Sequence, residues 1–239
     1  MRKLLADVAH TLVPPTGDRH GPLPPLMLTL TVVAGLVDAV SFLALGQVFV
    51  ANMTGNVVLL GFAVAGAAGF SAPASLTALA SFLVGAVGGG RLGTRFAAHR
   101  GRLLGAGVAG QALLVAAALA TAATSGDEVG APVRYTLIVA LGIAMGLQTA
   151  VVRRVAVPGL TTTVLTQTLT GLAADSTAAG RAAPRRALSV LAMFLGALAG
   201  ALLLQVRLAL ALGVTLALLV GVHLAVRRLS ATDTAWTRP

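Results

Sequence analysis

Residues 35–61 read GLVDAVSFLALGQVFVANMTGNVVLLG, and Asp38 is the last charged residue before Arg91. A helix that crosses a hydrocarbon core of roughly 30 Å uses about 20 apolar residues. The uncharged run 39–90 is too long for one such helix and must fold back within the bilayer or at its surface. The fold-back belongs at Gly46–Asn56, where Gly, Gln, Asn and Thr interrupt the apolar pattern. Unpaired backbone survives at membrane depth only inside protein or beside a water-filled cavity. The segment is therefore a sharp external turn or a buried broken helix.

Composition places the whole chain in a membrane. Of its 239 residues 57% are hydrophobic and only 10% charged, whereas soluble domains carry roughly 25% charged residues. The net charge of +10, from 17 basic and 7 acidic residues, does not mark a nucleic-acid surface, because the bases alternate with apolar spans instead of forming a basic domain. The chain has no cysteine, which removes disulfides, thiolate metal sites and a cysteine nucleophile. His10, His20, His99 and His223 are not spaced as a helical metal pair. With no catalytic triad, metal cluster, phosphate loop or cofactor motif visible, an enzyme is not expected. Residues 1–25 form a lead on the membrane surface or in the cytoplasm. Asp7 and His10 interrupt it before any long apolar run, so a cleaved signal peptide is not expected.

Full spans are predicted at 26–45, 74–93, 103–123, 133–151, 187–206 and 208–226, with two shorter, more polar pieces at about 54–69 and 163–178. The expected architecture is an all-α polytopic membrane protein: six full transmembrane helices plus two short re-entrant or broken segments. With six spans and both termini inside, all 17 bases except Arg134 and Arg207 fall on the cytoplasmic side, in agreement with the positive-inside rule. Eight complete helices in a 4+4 repeat are the alternative, but they strand one basic cluster outside.

The halves 26–123 and 133–228, joined by the loop 124–132 and followed by the tail 229–239, resemble each other at an offset of about 111 residues. Gly35–Val40 aligns with Gly146–Val151, Met53–Val57 with Leu165–Leu169, and Phe82–Gly88 with Phe194–Gly200 after one gap. Three spans per copy would make a 3+3 inverted repeat, an arrangement familiar in transporters.

Asp38 is the acid set well inside a clear span, and an ionisable group there asks for a partner, a polar cavity or a function. Proton coupling or solute contact is the functional reading, and a hydrogen-bonded packing residue is the structural one. Its counterpart is Thr149, beside Gln148. Asn52, Thr54 and Asn56 in the first short piece, and Thr162, Thr166 and Gln167 in the second, supply uncharged donors and acceptors that could meet a solute at half-helix ends. Arg153 and Arg154 are either an anion contact or a topology anchor. Gly35, Gly85, Gly89, Gly142, Gly146, Gly196 and Gly200 follow small-xxx-small spacing, which permits close helix packing.

The string Gly35-x-x-Asp38-Ala39-x-Ser41-Phe42, then Val48–Asn56 and Gly61, resembles the YoaK-type family of bacterial membrane proteins, known as a domain of unknown function. Gly142, Gly146, Gln148, Ala150, Thr162, Thr166, Thr168 and Leu169 match the same family in the second half. The resemblance covers about 24–228 and implies a multi-span inner-membrane protein, without a substrate or reaction. The leading expectation is a small secondary transporter of a small solute, proton-coupled through Asp38. A passive channel and a noncatalytic scaffold or regulatory subunit are the alternatives. The lipid bilayer, an unidentified solute, protons and a homo-oligomeric copy are the candidate partners.

Overall fold

A computed structural model describes residues 8–15, 18–125, 129–157, 160, 169–170, 182–231 and 235–238. The main elements are α1 (Leu23–Ala44), α2 (Met53–Val64), α3 (Ala72–Arg95), α4 (Arg100–Thr124), α5 (Ala131–Val155), α6 (Ala182–Leu204), α7 (Leu208–Leu229) and a closing 3-10 turn at Ala235–Thr237. No strand occurs among the described residues. Six of the helices are long and apolar enough to cross a membrane, and α2 is not. Its 12 residues rise about 18 Å. The second short piece, 163–178, lies outside the described residues apart from 169–170.

Helix starts follow local chemistry. α1, α3 and α5 carry proline in their first two positions, where the missing N–H costs no internal hydrogen bond. Ser71 caps α3 by accepting the Ala74 N–H at 3.3 Å. The ends of α3, α5 and α7 carry Arg95, the pair Arg153 and Arg154, and the pair Arg227 and Arg228, which favour the negative end of each helix dipole.

Glycine contacts set the bundle. A Cβ on Gly35 would collide with the Met193 carbonyl, and one on Gly196 with the Val32 carbonyl. On Gly200 it would lie 2.9 Å from both the Leu36 oxygen and the Ala39 Cβ. The partners advance together along both chains, so α1 and α6 run parallel. The α3–α5 pair has the same construction: Gly146 against the Phe82 carbonyl, Gly85 against the Ile143 carbonyl, and Gly89 at 2.9 Å from the Leu147 oxygen and 2.7 Å from the Ala150 Cβ. Gly142 meets the Ser81 Cβ at 2.8 Å in the same seam. Thus all seven glycines assigned to packing lie at helix–helix contacts.

In contrast, α4 is antiparallel to α5, through Gly107 on Val151 and Gln111 on Gln148, and to α7, through Gly101 on Ser230 and Gly105 on Val226. α1 is the most enclosed span, whereas Leu83, Val84 and Val87 of α3 and Leu191, Phe194 and Leu195 of α6 are exposed and form a lipid-facing belt. These directions collect the arginines at the ends of α3, α5 and α7 and at the starts of α4 and α6 at one end of the bundle. Arg134 and Arg207, at the starts of α5 and α7, mark the other.

Candidate functional site

The fold-back is built on Asp38. α1 ends at Ala44, and the chain turns through Gly46 (φ 92°) and Gln47 (φ 56°), a left-handed pair that reverses its direction. Phe49 then stacks on Phe42 with ring centroids 4.8 Å apart. Asp38 Oδ1 accepts the backbone N–H groups of Val50 at 3.1 Å and Ala51 at 2.8 Å. Asp38 lies six residues before the end of α1, so the chain has returned about 9 Å along that helix before α2 begins. At the far end of α2, Gly69 sits close to the Gln47 side chain. The element therefore descends as extended chain, rises as a short helix and finishes near its own entrance, as a re-entrant segment does.

Two amides complete this turn. Asn52 caps α2 by accepting the Gly55 N–H at 3.3 Å. Asn56 takes both backbone polar groups of one residue: its Oδ1 accepts the Phe49 N–H at 2.8 Å, and its Nδ2 donates to the Phe49 carbonyl. Asn56 is buried, while Asn52 and Thr54 are exposed. The structure thus brings Asp38, Asn52 and Asn56 into one backbone-pinning arrangement and leaves Thr54 on its outer surface. The α2 N-terminus, a natural place for an anion, is approached by the protein's own carboxylate.

Gln148 belongs to a different cluster. Its Oε1 accepts from Gln111 Nε2 at 2.7 Å, and its Nε2 donates to the Leu30 carbonyl at 3.2 Å, tying α4, α5 and α1 together inside the bundle. Leu30 precedes Asp38 by eight residues, about 12 Å along α1, so no hydrogen bond links the two clusters. The Gln111 Oε1 and Thr149 Oγ1 atoms are buried without a hydrogen-bond partner. Gln111 was not foreseen; the available signal was an amide alone in the apolar run 103–123.

Arg153 and Arg154 are exposed in the last turn of α5, and the Arg154 stem packs over Gly93. Their placement is that of terminal helix residues, apart from both polar clusters. Thr162, Thr166 and Gln167 lie outside the described residues. No group of three or more His, Cys, Asp or Glu side chains is placed to hold a metal among the described residues.

Comparison with known proteins agrees with the membrane architecture. A curated relative from Bacillus subtilis (strain 168), "UPF0700 transmembrane protein YoaK", is 36% identical over 152 residues, covering 63% of this chain and 65% of its own length. No solved structure matches. The family model described as "Protein of unknown function (DUF1275)" matches residues 26–225. The chain, a multi-pass membrane protein, belongs to the DUF1275 family.

Proposed function

We propose that this protein is a small secondary transporter of the bacterial inner membrane, with both termini cytoplasmic, moving a small solute in exchange for or together with protons. The observation that carries this reading is Asp38, an intramembrane carboxylate bonded to the backbone of a re-entrant break. An ionised carboxylate holds the Val50 and Ala51 N–H groups strongly. Taking up a proton weakens that grip and releases the break. Those donors, at the mouth of α2, then become available to an anionic or polar group of the solute. Protonation and solute access are thereby coupled without an enzymatic step.

Reading the two halves as an inverted duplication fits the same mechanism. Gly35, Gly85, Gly89 and the partners Val32, Leu36, Ala39 recur after a uniform shift of 111 as Gly146, Gly196, Gly200, Ile143, Leu147 and Ala150, each making the corresponding contact in the other half. In this register the Phe82 carbonyl over Gly146 corresponds to the Met193 carbonyl over Gly35. Two alike helix pairs, α1–α6 and α3–α5, are suited to rocking against each other, as repeat units do in alternating access. The orientation rests on the arginine-rich end facing the cytoplasm.

The decisive experiment compares a deletion strain and its complement for metabolite uptake, then reconstitutes the protein with the solute identified. Uptake should follow an imposed proton gradient and lose that dependence in Asp38→Asn. Undiminished gradient-driven uptake by that variant would falsify the coupling role. Flux without saturation would favour a channel, and a stable partner with no flux would favour a scaffold.

A further inference from the structure

We propose that the arginine-rich end holds a binding site for a phosphate group, formed by His20, Arg100 and Arg185. The site is independent of the transport reading.

Three elements meet there. The closing turn seats Trp236 against both Gly21 and Gly101: a Cβ on Gly21 would lie 2.7 Å from the indole Cδ1, and one on Gly101 3.2 Å from Cη2. His20 and Arg100 immediately precede these glycines, so one buried indole holds the lead into α1 against the first turn of α4. Arg185, in the first turn of α6, lies close enough for its charge to act on the His20 ring.

Each of the three side chains presents an unused nitrogen. His20 Nδ1, Arg100 Nη1 and Arg185 Nε are buried and have no hydrogen-bond partner. Arg185 as a whole is only 8% exposed. Charged side chains are almost never buried to this degree unless paired, and a buried unsatisfied donor is costly. Asp18 is the one acid at this end among the described residues, and its Oδ1 already accepts the His20 backbone N–H at 2.7 Å. Arg19 adds further positive charge beside His20.

Helix direction adds to the field. α1, α4 and α6 all begin here, so three positive dipole ends converge. No acid occurs in the first turn of any of them. Burial and the Arg185 charge hold His20 below the usual imidazole pKa, as expected for a ring in an unneutralised cationic pocket. A tetrahedral oxyanion resolves every part of this arrangement. It offers several acceptors to donors arriving from different elements and neutralises charges that otherwise repel one another. Phosphate also suits the location, because helix starts at a bundle end lie at the level of lipid headgroups.

The phosphate can belong to an anionic phospholipid or to a soluble ion, and one experiment separates these sources. The full chain is delipidated in neutral detergent and titrated with inorganic phosphate, using thermal stability as the readout. In parallel it is placed in phosphatidylcholine nanodiscs with and without phosphatidylglycerol, and retained lipid is counted by native mass spectrometry. Stabilisation by phosphate alone identifies a soluble ligand; selective retention of phosphatidylglycerol identifies a headgroup. Either supports the site.

Arg100→Gln and Arg185→Gln should each weaken binding by about tenfold, the loss of one charge-assisted hydrogen bond. Arg153→Gln and Arg154→Gln, which remove the same charge at the same end, should leave binding unchanged. Equal losses in both sets would mean general electrostatic attraction and would overturn the site, as would no response to either probe. His20→Gln, a milder change that keeps a donor, covers the case in which an arginine variant does not fold. It should alter phosphate affinity while preserving the elution profile, and unchanged affinity would count against the proposal.

Discussion

Asn56 gives the loop what a neighbouring strand would give: an acceptor and a donor facing the backbone of a single residue. Its truncation leaves the half-buried N–H and C=O of Phe49 without partners. We expect Asn56→Ala to cost about 2 kcal/mol, two ordinary hydrogen bonds, measurable as a lower unfolding midpoint in detergent. Thr54→Ala, on the exposed face, should be nearly silent. His20 gives a pH signature of opposite origin. Its folded pKa is depressed, so the unfolded chain takes up the proton first. Its contribution is complete above about pH 6.5 and is lost as pH falls below that value. Stability between pH 7 and 5 should therefore fall less steeply in His20→Gln, in phosphate-free buffer. Asp38 was legible in the sequence because a charge in an apolar run stands out. The Gln111–Gln148 bond was not, because residues 37 apart reveal nothing of their pairing until α4 and α5 are docked.

At the scale of elements, the seams explain which glycines matter. Gly85 and Gly89 touch backbone of α5, while Gly88 between them has open space around it. Gly85→Ala should destabilise by about 1–3 kcal/mol through overpacking, or prevent folding. Gly88→Ala should be neutral or gain up to about 1 kcal/mol of helix propensity. Reversible unfolding in detergent of the two single variants checks both. Spans and seams were readable because hydropathy fixes length and small residues mark close approach. Which backbone atoms meet was not readable: the Phe82 and Met193 carbonyls face Gly146 and Gly35 whatever side chains those positions carry. The extent of α2 was also shorter than its apolar run, because Gly66 and Gly69 adopt positive φ and end the helix before Ser71 starts the next.

For the molecule as a whole, the re-entrant path makes a sidedness prediction. Gln47 and Ser71 lie at the same end, so cysteines introduced at each should be labelled from one face only. The absence of native cysteine makes the assay direct. Labelling from opposite faces would require α2 to cross fully and would restore an eight-helix arrangement.

The exchanged seams also bear on biosynthesis. α1 enters the membrane well before α6, yet the glycine surface that receives it belongs to α6, 164 residues later from Val32 to Gly196. At synthesis rates of about 5–20 residues per second this delay is roughly 10–30 s. During that interval a helix destined to be enclosed has only lipid and passing segments for company. A chain stopped after α5 would thus carry a complete first half that cannot close, and its lifetime would be set by quality-control proteases rather than by its own hydrophobicity.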